Sequence, residues 1–473
     1  MSEENKVVDI PKKTFIQVLG LLVCLMIVSI VLTYVIPGGE FGVAEDGSVD
    51  YLTYIERSDL PGVPLLKGIF APVLVFFSSD GLTLFMLSLF LLVIAGAFQV
   101  MNDIGGTSSL IGSVSKRFSS HKVLLLIVMS FLFFCFGAFL GLFEEMLTIF
   151  PVVASLCVLM GYDSFTGFLC CIISCGFGFA SAITNPFTVV LASELIGVSP
   201  TEHLWYRLII FAVMYALLAA FILIYARAVK KNPQRSMTYS HDMKLRDNIT
   251  SAGTGTGDEE KRTRIVYAVF LIMSVVLVIV SSSIAALRSY TVVLLIVYFL
   301  FGGVAAGLIA SRSPRKVFAS FFKGFTGTVP TIAFLAVSAS IKYILDQGSV
   351  LPTIVNQINK AADGSDPIFV AVVIYFIVLV LEFFVSSSSA KAILVMGMLS
   401  AVNIGLSKTM MVLLYTFADG YTNLLFPTSP VLLISLSMME LSYFKWIRKS
   451  IPLFAANLIL VIGFIVTGVL ISY

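Results

Sequence analysis

The sequence predicts an all-α polytopic membrane protein made of two inverted repeats, each holding a re-entrant hairpin and a broken transmembrane helix. Three observations predict this. Of 473 residues, 58% are hydrophobic and only 12% charged, with a mean hydropathy of +1.01, whereas soluble domains carry about 25% charged residues. Apolar runs of membrane-spanning length recur along the chain. The second half also repeats the first half's order of interruptions at a constant offset, so that Phe143 falls on Ser386 and Ala180 on Asn423.

The first run, 14–36, lacks a small-residue cleavage pattern and ends at Pro37-Gly38-Gly39, so it reads as a retained helix. Further spans follow at 80–101, 122–142, 145–160, 163–198, 204–226, 265–286, 290–310, 325–345, 367–385, 388–402, 408–437 and 450–472. Runs 145–160 and 388–402 are short for a crossing. Runs 163–198 and 408–437 are too long for one straight crossing, and polar residues and prolines interrupt both.

Loop charge orients these spans. Loop 38–67 is acidic, while loops 102–122, 227–264, 311–323 and 438–449 are basic. The positive-inside rule makes the basic loops cytoplasmic and the acidic loop external. An even number of crossings must then separate 102–122 from 227–264. Runs 122–160 therefore enter and return as a hairpin open to the cytoplasm, and the same count makes 367–402 a hairpin open to the outside. The N-terminus is inside and the C-terminus outside. Segment 227–264, which contains Gly253-Thr254-Gly255-Thr256-Gly257, reads as a flexible cytoplasmic linker between the halves.

Hairpins that open to opposite sides make the repeats inverted. Inverted repeats with broken helices mark secondary transporters whose site lies near the midplane. Irregular backbone at that depth needs protein or a water-filled cavity to satisfy it. Four such places are expected: the tips at 141–148 and 384–391, and the breaks at 181–188 and 419–430. Each break holds Thr-Asn (Thr184-Asn185 and Thr422-Asn423) followed by proline (Pro186, and Pro427 with Pro430). Proline removes a backbone donor and frees carbonyls. With Thr184, Asn185, Thr188, Thr422 and Asn423 these are hard oxygen ligands for a small cation, and Glu144, Glu145 and Asp419 join the coupling-ion candidates. Half-helix N-termini near Thr428 and Ser429 favour an anionic group. A plain kink held by local hydrogen bonds is the structural alternative for either break alone.

Charges inside a membrane are expensive and are functional candidates by default. Substrate-binding candidates are Glu144, Glu145, Asn185, Ser386, Ser387, Ser388, Ser389, Lys391, Asp419, Asn423, Thr428 and Ser429. Two structural alternatives stand beside this list. Glu382 and Lys391 could pair with each other across the hairpin, and one of Glu144 and Glu145 could cap the following helix at Thr148. The six cysteines lie in apolar runs and behave as small hydrophobes. Cys170, Cys171 and Cys175 have no histidine nearby and fit no zinc spacing, so no metal is expected beyond a coupling Na+. No nucleophile–base constellation or P-loop appears, and the basic loops give an orientation signal rather than a nucleic-acid footprint. An enzyme and an open channel are the remote alternatives. An open pore has no need of inverted hairpins with sealed tips.

These tips, the Thr-Asn and Pro-Thr-Ser-Pro breaks and the N-in, C-out layout resemble the YfcC-like branch of the anaerobic C4-dicarboxylate carrier (DcuC-like) family, within the ion transporter superfamily. The resemblance covers nearly the whole chain and is clearest over 137–200 and 380–440. It implies an elevator-type transporter, a homodimer in the bacterial inner membrane, and coupling to Na+, H+ or exchange, with no other cofactor. On that plan 1–121 and 265–345 are scaffold helices. Residues 122–226 form the first repeat (hairpin 122–160, broken helix 163–198, helix 204–226), and 227–264 is the linker. Residues 346–473 form the second repeat (hairpin 367–402, broken helix 408–437, helix 450–472). The family includes dicarboxylate carriers and relatives assigned to arginine–ornithine exchange. Related dicarboxylate carriers place Ser-Asn-Thr at both tips; here the tips read Phe143-Glu144-Glu145 and Ser386 to Ser389. Two acids repel a dianion and welcome an ammonium or guanidinium. The favoured substrate is therefore an amino acid such as arginine or ornithine, with a C4-dicarboxylate as the alternative.

Overall fold

In the computed structural model the chain is described over residues 12–43, 49–57, 61–110, 120–251, 257–288, 290–357, 360, 366–385, 388–401 and 405–473. Long apolar runs become helices because only a helix satisfies its own backbone in hydrocarbon. Among the described residues nine helices are long and apolar enough to cross a membrane, by length and composition.

The helices fall into two packed groups. The first contains α1 (Lys12–Val35), α2 (Gly81–Asp103) and, much later in the chain, α9 (Gly257–Ser283), α10 (Thr291–Ser311), α11 (Pro314–Gly327) and α12 (Val329–Gln347). Phe15 of α1 stacks on Phe334 of α12 at 5.0 Å. Helix α11 lies against α2, where Ser320 donates to Asp103 at 2.8 Å. The second group contains α3 (Lys122–Leu140), α4 (Met146–Leu159), α5 (Ser164–Ala180), α6 (Pro186–Ile196), α7 (Leu204–Lys231), α13 (Pro367–Phe384), α14 (Ser388–Ala401), α15 (Lys408–Thr422), α16 (Pro430–Met438) and α17 (Tyr443–Leu470). Between α7 and α9 stands α8 (Tyr239–Ser251).

Four expectations from loop charge and composition are corrected. The basic segment 311–323 is mostly helix α11. Its buried Val317, Ser320, Phe321 and Gly324 recur at helical spacing, so its charges occupy the opposite face. The linker is largely helical, because α7 runs on to Lys231 and α8 and α9 follow; only 252–256 lie outside the described residues. The acidic loop 38–67 holds an antiparallel hairpin, β1 (Gly38–Val43) with β2 (Val49–Arg57), where β-branched and aromatic residues such as Tyr51, Thr53, Tyr54 and Ile55 favour a strand. Helix α17 begins at Tyr443, capped by Ser442, and shortens loop 438–449 to a turn.

Helices α7 and α17 run side by side in opposite directions: Tyr206 donates to the Phe464 carbonyl at 2.6 Å, and Lys449 sits over the Tyr225 ring at 5.2 Å. The open end of α3–α4 lies at the C-terminal end of α7. There Lys122 donates to the Met160 carbonyl at 2.7 Å, and Tyr225 donates to Asp163 at 2.6 Å. The open end of α13–α14 lies at the N-terminal end of α7. There Gly405 faces Pro367, Ser407 donates to the Tyr473 carbonyl, and Arg207 donates to the Tyr473 hydroxyl at 2.8 Å.

Candidate functional site

Both long runs break where the prolines demand it. Asn185 precedes Pro186 and is held extended (ψ 119°), which starts α6 after α5 has ended at Ala180. Ser429 precedes Pro430 and is extended likewise (ψ 114°), which starts α16. The two breaks meet. Ser181 and Tyr421 share a hydroxyl–hydroxyl hydrogen bond of 3.0 Å.

The first break docks onto the first hairpin tip. Helix α3 ends in a wide turn at Phe136–Leu140 that leaves carbonyls unpaired within the helix. The break supplies the donors: Ile183 N to Ala138 O at 2.9 Å, Asn185 Nδ2 to Gly137 O at 3.3 Å, and Thr184 Oγ1 to Phe139 O at 3.3 Å. Asn185 Oδ1 also accepts from Phe187 N at 2.9 Å and caps α6. Gly141 closes the turn with φ +69°, and a Cβ there would fall 2.4 Å from Asn185 Oδ1. Asn185 is thus fully engaged in joining tip to break. Thr188 lies one turn further on, buried, with no hydrogen-bond partner for its hydroxyl among the described residues.

At the tip itself the two glutamates diverge. Glu145 is buried and accepts from Phe143 N at 3.1 Å, while its carbonyl accepts from Thr148 Oγ1 at 2.7 Å. It also lines a small cavity of about 10 Å³, room for about one water, shared with Thr148 and with Ser274 and Val278 of α9. Glu144 is exposed. It lies within electrostatic reach of both Glu145 and Asp419.

The second tip is held by charge. Lys391, in the first turns of α14, is completely buried and ion-paired to Glu382 of α13 and to Asp419 of α15, the latter at 2.6 Å. Asp419 Oδ2 accepts from Ser388 Oγ at 2.8 Å, and the Ser388 carbonyl accepts from the Tyr415 hydroxyl. Ser386, Ser387 and the Ser389 side chain lie outside the described residues.

The second break is satisfied mostly by its neighbours. The Leu424 carbonyl accepts from Trp446 Nε1 at 2.9 Å, that of Leu425 from Tyr443 at 2.8 Å, and that of Thr428 from Ser338 at 2.6 Å. Thr422 and Asn423 donate back to the Ala418 and Asp419 carbonyls at 2.9 Å each. Ser429 is buried, and its hydroxyl has no partner among the described residues. The freed carbonyls at 424, 425 and 428 are therefore bound by protein, contrary to their expected role as cation ligands.

Of the expected residues, the structure brings together Glu144, Glu145, Ser388, Lys391 and Asp419, and it sets Asn185, Thr422 and Asn423 into the backbone scaffolding of the breaks. Sequence reasoning left Glu382 off the binding list, although its intramembrane charge marked it. It also missed Tyr415, whose position one turn before Asp419 puts both on one helix face. Trp446 and Ser338 gave no local signal, because their partners are distant in sequence.

The resulting site is a chain of four carboxylates, Glu145, Glu144, Asp419 and Glu382, against the single ammonium of Lys391. Among the described residues no group of three metal-ligating side chains is found.

The sequence profile of the C4-dicarboxylate anaerobic carriers (DcuC) matches residues 15–470. The Escherichia coli K12 protein named "Putative basic amino acid antiporter YfcC" is 28% identical over 397 residues, covering 79% of this chain and 76% of that one. An uncharacterized protein of Haemophilus influenzae Rd is 23% identical over 395 residues, covering 81% and 75%. The crystal structure of the Alcanivorax borkumensis YdaH transporter aligns over 96% of this chain and 97% of its own, at 13% identity and a TM-score of 0.45. This chain belongs to the C4-dicarboxylate anaerobic carrier family. It is a multi-pass membrane transporter and not an enzyme.

Proposed function

We propose that this carrier moves a small metabolite bearing both a carboxylate and a cationic amino group, favouring an amino acid such as arginine or ornithine, by exchange or ion symport. The observation that carries this reading is the excess of acid at the site, where Glu382 and Asp419 share Lys391 and Glu144 and Glu145 extend the run of carboxylates with no lysine or arginine of their own among the described residues. Buried charge of one sign is costly until it is paired. A dicarboxylate adds to the excess, while an ammonium or guanidinium relieves it. The E. coli relative's name, a basic amino acid antiporter, agrees with this.

The transport mechanism rests on the two hairpins. Their open ends sit at opposite ends of α7, which supports inverted repeats whose tips meet the breaks at mid-depth. In an elevator cycle the hairpin group carries the site past a scaffold of α1, α2 and α9–α12, as part of a homodimer in the bacterial inner membrane. The N-terminus lies inside and the C-terminus outside. The coupling ion is H+ or Na+. The acids Glu144 and Glu145 suit a proton, and the unpartnered hydroxyls of Thr188 and Ser429 suit Na+.

A C4-dicarboxylate is the second reading, favoured by the family description and by Lys391 beside the serine tip. Ligand-induced thermal stabilisation of the purified protein separates the two. Arginine or ornithine should raise the melting temperature and succinate should not; the reverse result would transfer the protein to the dicarboxylate carriers.

A further inference from the structure

Lys391 is buried at 0% exposure, and the ion pair it makes with Asp419 joins two different elements, the start of α14 at the hairpin tip and the end of α15 at the break. On the far side Glu382 holds the same ammonium, so Lys391 keeps one partner if Asp419 lets go. Asp419 keeps Ser388 as a hydrogen-bond donor in the same event. Glu144, exposed at the first hairpin tip, is electrostatically linked to Asp419.

Opening a buried ion pair removes one partner from each charge, which is unfavourable unless both partners are replaced. A lone amine replaces the partner of Asp419 and leaves Lys391 with Glu382 alone. A lone carboxylate replaces the partner of Lys391 and leaves Asp419 with Ser388 alone. A ligand with an ammonium and a carboxylate on one carbon replaces both at once.

We infer that the Lys391–Asp419 pair is the template for an α-amino-acid headgroup: the substrate's ammonium takes the place of Lys391 on Asp419, and its carboxylate takes the place of Asp419 on Lys391. The inference deepens the cationic amino-acid reading and rests on it. A cationic side chain extending from the same carbon then meets Glu144 and Glu145. Lys391 is in this scheme a specificity-determining residue. It rejects decarboxylated amines, which would otherwise be attracted to the acid cluster as strongly as amino acids are.

The test is competition in proteoliposomes containing the full chain. Labelled arginine is exchanged against internal arginine, with external arginine or agmatine, its decarboxylated amine, as competitor. The wild-type protein should prefer arginine by at least about tenfold, since a site built around a partner rejects the analogue that lacks it. Lys391→Met should bring that ratio close to one, and Lys391→Arg should keep most of it. Equal competition by agmatine in the wild type, or an unchanged ratio in Lys391→Met, overturns the inference while leaving arginine transport intact. The wild-type ratio decides the matter alone if Lys391→Met does not fold. If no amino acid on a panel is exchanged, the inference and the function it rests on fall together.

Discussion

Gly420 of α15 lies against Ala180 of α5 so closely that a Cβ on Gly420 would fall 2.2 Å from the Ala180 Cα. The two helices thus cross at their breaks, backbone to backbone, beside Asp419. Packing this tight cannot absorb a methyl group without moving one helix. Gly420→Ala should destabilise the protein by about 1–3 kcal/mol or more. The melting temperature in detergent measures this, and an unchanged value would mean that the breaks do not meet as described.

Asn185 serves tip and break at once. Asn185→Ala should cost about 0.5–2 kcal/mol for the lost cap, with a further loss for the Gly137 carbonyl, which keeps only its bond from Gly141 N. Asn185→Asp keeps the cap but sets a buried carboxylate oxygen against the Gly137 carbonyl. It should be no more stable than Asn185→Ala, and a melting temperature near the wild type would show that the Gly137 contact is not made.

Trp446 is completely buried and donates to the Leu424 carbonyl. Trp446→Phe preserves an aromatic ring against Phe165 and Phe168 but leaves that carbonyl unpaired in the second break. The expected cost is about 1–3 kcal/mol, with lower transport rates because the break is no longer fixed. A variant as stable and as active as the wild type would show that the bond is idle.

On the face that carries α8, His241 and Lys244 both reach Glu440 at 3.7 Å. The polar contact from His241, then its charge and that of Lys244, hold the Glu440 carboxyl below its ordinary value. A depressed carboxylate stabilises the folded state above its unfolded pKa, and that contribution disappears as pH falls through the folded value. Glu440→Gln should therefore melt below the wild type at neutral pH and match it once pH drops below the carboxylate range. A gap that persists in acid would assign the contact to packing rather than charge.

Much of the fold was legible because hydrophobic length and proline position act locally. Run 408–437 divides between Thr422 and Pro430 because Pro427 and Pro430 cannot continue a helix through that segment. Charge was less reliable as a marker of loops. The basic residues at 311–323 ride on one face of α11, and the Ser-Arg-Asp-rich stretch around 239–251 still forms a helix, with Asp242 accepting from Ser164 N at 3.2 Å. At the site, the acids and Lys391 were readable from their position in apolar sequence. Their grouping was not, since Asp419 reaches Lys391 through tertiary packing of α15 on the hairpin. Asn185 has the composition of a ligand, but its oxygen caps α6 at Phe187 N and its amide donates to the Gly137 carbonyl of α3, a partner that no spacing rule connects to it.

The most direct test of the central claim is counterflow of arginine and ornithine, beside succinate, in proteoliposomes holding either the wild type or Glu144→Gln. The account predicts that the wild type accumulates the cationic amino acids and ignores succinate, and that Glu144→Gln weakens accumulation at least about tenfold by removing one carboxylate from the cation's site. Accumulation of succinate with arginine ignored, or arginine transport indifferent to Glu144→Gln, would contradict it.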